Sequence, residues 1–176
     1  GRGVMTSAAV GTVAIGMSAL TALTSGIGNV AVGYQAGLAL STSQNNLAIG
    51  YQALSKATTA TDNCIAIGNY TMDGNFTTAD LDAVVCIGYQ AMRGVLTSGA
   101  LGTVAIGASA LAALTTGAGN TAVGYNAMLT NAEGEWNTAV GYEALYTAAH
   151  NDGDGLCTIM GYRAGKFIST GINNTF

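Results

Sequence analysis

The phrase Gly-Asn-Thr-Ala-Val-Gly-Tyr-Asn-Ala-Met at residues 119–128 is written, with substitutions, nine times along the chain. Taken from its second glycine, the copies are anchored on Gly16, Gly33, Gly50, Gly68, Gly88, Gly107, Gly124, Gly141 and Gly161, at spacings of 17, 17, 18, 20, 19, 17, 17 and 20. A near-constant period in this range predicts a stacked solenoid, because one such repeat cannot bury its apolar face alone and does so only against its neighbours. The expected fold class is all-β: a repetitive parallel β-roll or β-solenoid, one array over residues 1–176 with a partial tenth copy at 171–176. Both ends are expected to continue into a longer chain.

The columns define the elements. Before each anchor stand Ile15, Val32, Ile49, Ile67, Ile87, Ile106, Val123, Val140 and Met160, and one position earlier a column of mostly Ala, such as Ala31, Ala48 and Ala66. A third column runs from Val13 and Val30 to Thr138 and Thr158. β-Branched residues around a small one read as a short strand buried on both faces, with the large side chains inside the roll and Ala where another layer comes close. An anchor that is glycine in every copy marks a bend or a close backbone approach. The Ala and Leu groups that follow, such as Ala19 and Leu20 or Ala110 and Leu111, read as a second short strand, since so short a segment does not nucleate a helix.

Polar loops close each repeat and absorb the variation in period, as loops do. Copies four and five are the least regular: Asn69, Tyr70 and Thr71 break the pattern, and residues 73–82 make an acidic excursion. Residues 11–29 match residues 102–120 at 15 of 19 positions, an offset of 91 residues, so blocks of five motifs are duplicated whole. Such duplication suits a fibre, which can lengthen turn by turn.

With 8% charged residues against a typical quarter, much of the surface must be neutral or hidden against other chains. The net charge of −4 and five scattered Lys and Arg leave no basic stripe for nucleic acid. No apolar run approaches the ~20 residues that cross a bilayer, so membrane insertion of this segment is not expected. Cys64, Cys86 and Cys157 form no metal or redox spacing and read as small core residues.

A search for chemistry finds little, and the expectation is of no enzyme, no cofactor, no catalytic residue and no metal site. His150 is the only histidine. Asp152 and Asp154 beside it are spaced like part of a calcium loop, but the distal Glu is missing, and a polar turn is the better reading. Glu133 and Glu135 flank the only Trp, Trp136, yet carboxylates in one loop rarely oppose each other across a glycosidic bond. Glu133, Glu135, Trp136, His150, Asp152 and Asp154 are therefore candidate surface contacts. The column Tyr34, Tyr51, Tyr89, Tyr125, Tyr142 and Tyr162 is read as aromatic ladders that stabilise the stack, with glycan binding as the alternative.

The phrases at residues 29–33, 46–50, 120–124 and 137–141, Asn-x-Ala-Val/Ile-Gly, resemble the head repeats of YadA-type trimeric autotransporter adhesins and the Asn-Thr-Ala-Val-Gly-Tyr repeats of phage tail-fibre shafts. The resemblance covers residues 11 to 176. It implies a homotrimer of left-handed parallel β-rolls, extracellular on a virion fibre or a bacterial cell surface, that projects a structure or mediates attachment to a cell-surface glycan or protein receptor. The leading Asn is replaced by Thr12, Cys64, Val84, Thr103 and Cys157 in five copies, and the Tyr after the glycine favours the phage variant. A rival architecture is the triangular left-handed β-helix of hexapeptide acyltransferases; a further functional reading, an ice-binding solenoid, needs a flat regular Thr face, for which Thr121, Thr138 and Thr158 supply only three rungs. The alternative function is a self-assembling extracellular filament or coat protein without adhesive specificity.

Overall fold

In a parallel stack each strand receives its hydrogen bonds from the copies before and after it, so the register repeats only if equivalent residues lie directly over one another. That is the arrangement in the computed structural model, which describes residues 9–57, 61–76, 81–97, 100–147, 156–168 and 173–175. Eleven short strands follow in order: β1 (Val13–Ile15), β2 (Val30–Val32), β3 (Leu47–Ile49), β4 (Thr61–Asp62), β5 (Ile65–Ile67), β6 (Leu81–Asp82), β7 (Val85–Ile87), β8 (Val104–Ile106), β9 (Thr121–Val123), β10 (Thr138–Val140) and β11 (Thr158–Met160). Nine of them form one parallel sheet in the order β1-β2-β3-β5-β7-β8-β9-β10-β11. The pairing keeps the repeat register, with Ala31 opposite Ala48 and Cys86 opposite Ala105. The protein is an all-β parallel β-solenoid, and the described residues contain no helix. They hold one continuous sheet rather than the three of a triangular β-helix; β4 and β6 add a two-stranded sheet in the longer loops of copies four and five. At the far end Thr158 pairs with Thr175 of the tenth copy.

The anchor glycines are required twice over. Their φ angles run from +124° to +141°, a region that disfavours a side chain. They also stack: a Cβ on Gly50 would lie 2.5 Å from the carbonyl oxygen of Gly68, and one on Gly68 2.6 Å from that of Gly88. Gly161, the last anchor in the sequence, has no following anchor over it here, and a Cβ on it would meet only the Ala164 Cβ at 3.7 Å.

Which way the strand faces differs from the sequence expectation. The middle residues Ala31, Ala48, Ala66, Cys86, Ala105, Ala122 and Ala139 are the buried ones, while the larger residues on either side are only half-buried in β2, β3, β5 and β7 to β10. The Ile/Val column therefore lies on the outer face, not inside the roll. The interior is already filled from the opposite wall by Leu20, Leu54, Met72, Met92, Leu111, Met128 and Leu145, all buried. In these strands a methyl or a thiol fills the space between them and the sheet; in β11 the buried Ile159 takes that place, opposite Gly165.

The second strand expected over the Ala and Leu groups is absent. These segments are turns in which the second and the fourth residue after every anchor have left-handed φ: Gln52 and Leu54 at 52° and 53°, Asn126 and Met128 at 53° and 52°. Left-handed backbone costs a bulky residue ~1–2 kcal/mol, whereas full burial of Leu or Met returns ~1.5–3 kcal/mol. The conformation is thus tolerated where the side chain is buried. It also keeps the backbone paired from rung to rung, since the Gln52 N–H donates to the Tyr34 carbonyl and the Leu54 N–H to the Thr71 carbonyl, at 2.8 and 2.9 Å.

The leading asparagines form a buried internal ladder. The Asn46 backbone N–H and Nδ2 both donate to Asn29 Oδ1 at 3.1 Å, and Asn29 Nδ2 donates to the Ser43 carbonyl of the next loop at 2.7 Å. Asn120 and Asn137 repeat the arrangement. Cys64 and Cys157 end these two runs, each donating its backbone N–H to the preceding Asn Oδ1. Thr103 breaks the ladder, with its buried Oγ1 left without a hydrogen-bond partner.

Two stability measurements follow. Gly124→Ala should lower the melting temperature far more than Gly161→Ala, because the first adds a clash with the Gly141 carbonyl to the strain that both share, about 1–3 kcal/mol. Equal shifts would show that stacking is not what the glycine serves. Thr103→Asn should raise the melting temperature by about 2–4 °C, as expected for about 1 kcal/mol in a chain of this size, by giving the Asn120 backbone the acceptor that Asn120 gives Asn137.

Candidate functional site

The surface carries four features that could recognise something. The first is the tyrosine column. Tyr34 and Tyr51 stack at 5.0 Å between ring centroids, as do Tyr125, Tyr142 and Tyr162 at 5.2 and 5.4 Å. Tyr70, one place later in its copy, still joins the column through edge contacts with Tyr51 and Tyr89. Sequence reading treated Tyr70 as a break in the pattern; its ring nevertheless lies between those of Tyr51 and Tyr89. Ring-on-ring geometry is worth about 0.5–1.5 kcal/mol per pair beyond burial. Tyr51, Tyr89, Tyr125, Tyr142 and Tyr162 nevertheless remain exposed.

The second feature is Trp136. Its indole lies over Gly119, where a Cβ would meet the ring, and it is 60% exposed. Its column holds Gly28, Asn45, Asn63, Ala83, Gly102, Gly119 and Leu156 in other copies, all with positive φ, and Trp136 adopts the same conformation at 56°, the largest side chain to do so there. A tryptophan is a costly occupant for a position that suits Gly or Asn. Of its neighbours, Glu133 is exposed and Glu135 half-buried, and neither forms an ion pair among the described residues. His150, Asp152 and Asp154 lie outside the described residues.

The third is an ionic cluster that sequence reading missed. Glu143, buried, accepts from Lys166 Nζ at 2.5 Å and from Arg163 Nε at 2.8 Å. The hydrogen bonds from Lys166 and Arg163 hold its carboxyl below the usual carboxylate range, against burial. Arg163 also lies over the rings of Tyr142 and Tyr162, at 5.8 and 5.1 Å from their centroids. The residues are 20 and 23 apart in sequence, so only the stacking period, once known, brings them together.

The fourth is a cleft of about 410 Å³ lined by Lys56, Asp73, Gly74, Asn75, Gln90, Arg93, Val95 and Ala112. It sits over copies three to six, where the period lengthens to 18, 20 and 19 residues.

The cysteines are buried and free. Burial pushes the Cys64 thiol up to about 12 and Cys86 well above its ordinary value, which leaves them without the thiolate that redox or nucleophilic chemistry uses. Among the described residues no three His, Cys, Asp or Glu side chains cluster as metal ligands, and no helix is long and apolar enough to cross a membrane.

No protein-family model, curated protein or solved structure matches the chain.

The Glu143 cluster gives a pH test. Because the folded carboxyl titrates below its unfolded value, its stabilisation is complete above the ordinary carboxylate range and is lost as pH falls through the folded value. The parent should therefore melt above Glu143→Gln at pH 7, and the two should converge on acidification. A gap that does not depend on pH would show that packing, not charge, is what Glu143 supplies.

Proposed function

We propose that this chain is a structural segment of an extracellular fibre, of the phage tail-fibre or bacterial adhesin kind. It projects from a surface as a homotrimer and mediates attachment through its irregular loops. The observation that carries this reading is the outer face of the nine-stranded sheet. Two parallel columns, from Val30 and Val32 to Thr138 and Val140, keep their larger side chains half-exposed along its length. A continuous stripe of this kind is the signature of a surface that other chains cover.

The scarcity of charge points the same way, since 8% charged residues give a lone rod little to hold it apart from its copies. A parallel stack of identical rungs also gives every copy the same spacing along the stripe, so identical chains side by side can match it throughout. The loops differ from copy to copy, and a fibre would place specificity there. The segments expected to carry it are residues 73–82, 131–136 and 150–155. The described part offers the exposed, conformationally costly Trp136 and the carboxylate of Glu133.

The test is assembly. Sedimentation at micromolar concentration should show a trimer, and Ile106→Lys in the middle of the stripe should yield monomers that keep the far-ultraviolet spectrum of the parent. A stable monomeric parent would overturn the reading. A trimer whose Trp136→Asn variant attaches to cells as well as the parent does would favour the passive filament over the adhesin.

A further inference from the structure

We propose that the cleft over copies three to six is a binding site for an acidic sugar, a pyranose carrying a carboxylate. Its origin is a local lengthening of the repeat. In the regular copies the inward apolar residue comes seven places after the anchor, as Leu23 after Gly16, Leu40 after Gly33 and Leu114 after Gly107. In copies four and five it comes eight places after, as Phe76 after Gly68 and Leu96 after Gly88. The extra residue in each is turned outward: Asn75 and Val95 are exposed. Gly74 and Gly94 lie directly over one another, so close that a Cβ on Gly74 would overlap the Gly94 carbonyl, and the wall there carries no side chain. The result is a recess among otherwise uniform rungs.

The side chains that line it are unlike the rest of the rod. Five places after the anchor the column reads Thr21, Leu38, Ser55, Asp73, Arg93, Ala112, Leu129, Tyr146 and Lys166, so a buried acid and an arginine occupy successive rungs only here. Asp73, 3% exposed, does not pair with Arg93. Its carboxylate accepts from the Ser55 hydroxyl and from Lys56 Nζ, the latter at 3.3 Å. Arg93 is consequently without a carboxylate partner among the described residues, and its guanidinium lies 5.9 Å from the centre of the Tyr70 ring. The Tyr70 ring is within cation–π range of the guanidinium, and Arg93, exposed beside the cleft, has the donors that a bidentate carboxylate takes.

The remaining groups fit the rest of a sugar. Gln90 and Asn75 each offer an amide donor and acceptor for hydroxyl groups, and Val95 and Ala112 give an apolar patch for the C–H face of the ring. The volume is in the range of clefts that hold small ligands.

The inference deepens the attachment role proposed above but is tested on the isolated chain, so it can hold or fail whether or not the fibre trimerises or adheres. Backbone amide shifts would be followed by nuclear magnetic resonance on adding glucuronic acid, glucose or acetate to the parent and to Arg93→Gln. The expected result is saturable movement of the residue 75 and 90 amides with glucuronic acid, at least about tenfold weaker with glucose and acetate, and at least about tenfold weaker in Arg93→Gln. A circular dichroism spectrum like the parent's would show that the variant is folded; if it is not, Arg93→Lys, which keeps the charge and loses the bidentate fork, replaces it and should weaken binding similarly. No saturable shift with glucuronic acid, equal binding of glucose, equal binding of acetate, or undiminished binding by the folded variant would each overturn the proposal.

Discussion

The contact on which the structure depends is that between successive anchor glycines. There the backbone of one rung lies against the carbonyl of the next with no side chain between them, and the Gly33 N–H donates to the Ile15 carbonyl of the rung before at 2.7 Å. With the rungs fixed at that distance, every other column must stack as well. Tyrosines meet face to face, asparagines hand one oxygen to the next backbone, and an insertion in one loop has to be accommodated outward without shifting the sheet.

The same contact explains the inverted sheet. A roll this tight has a narrow interior, and the turn residues fill it with Leu and Met at the cost of left-handed backbone. About 1–2 kcal/mol of strain against a somewhat larger gain from burial leaves each turn only modestly favourable. Cooperation between rungs supplies the rest, as in other one-dimensional arrays.

The period, the register and the glycine bends could be read from the sequence because they rest on columns of one residue type, and the core role of the cysteines because each is a small apolar residue inside such a column. The orientation of the sheet could not. A Val-Ala-Val strand is apolar on both faces, so residue type does not say which face is in; that is decided by Leu54 and Met128, which arrive from elsewhere in the repeat. The turns were hidden because nothing in the propensity of Leu or Met announces a positive φ. The cleft escaped for a different reason: Lys56, Asp73 and Arg93 are isolated charges in the linear chain, and only counting places from each anchor puts them on adjoining rungs.

The asparagine ladder has a direction. Asn29 holds the Ser43 carbonyl and the Asn46 backbone, both later in the chain, and Asn120 holds Gly134 and Asn137 in the same sense. Each rung thus presents an amide whose donor and acceptor are taken up by the segment that follows, as that segment docks. A polypeptide leaving the ribosome amino end first can dock its turns one at a time in the order of synthesis. Once a first rung is in place, assembly becomes elongation on an existing end, much as a crystal face grows, and the loop to be closed at each step stays near one period however long the fibre becomes.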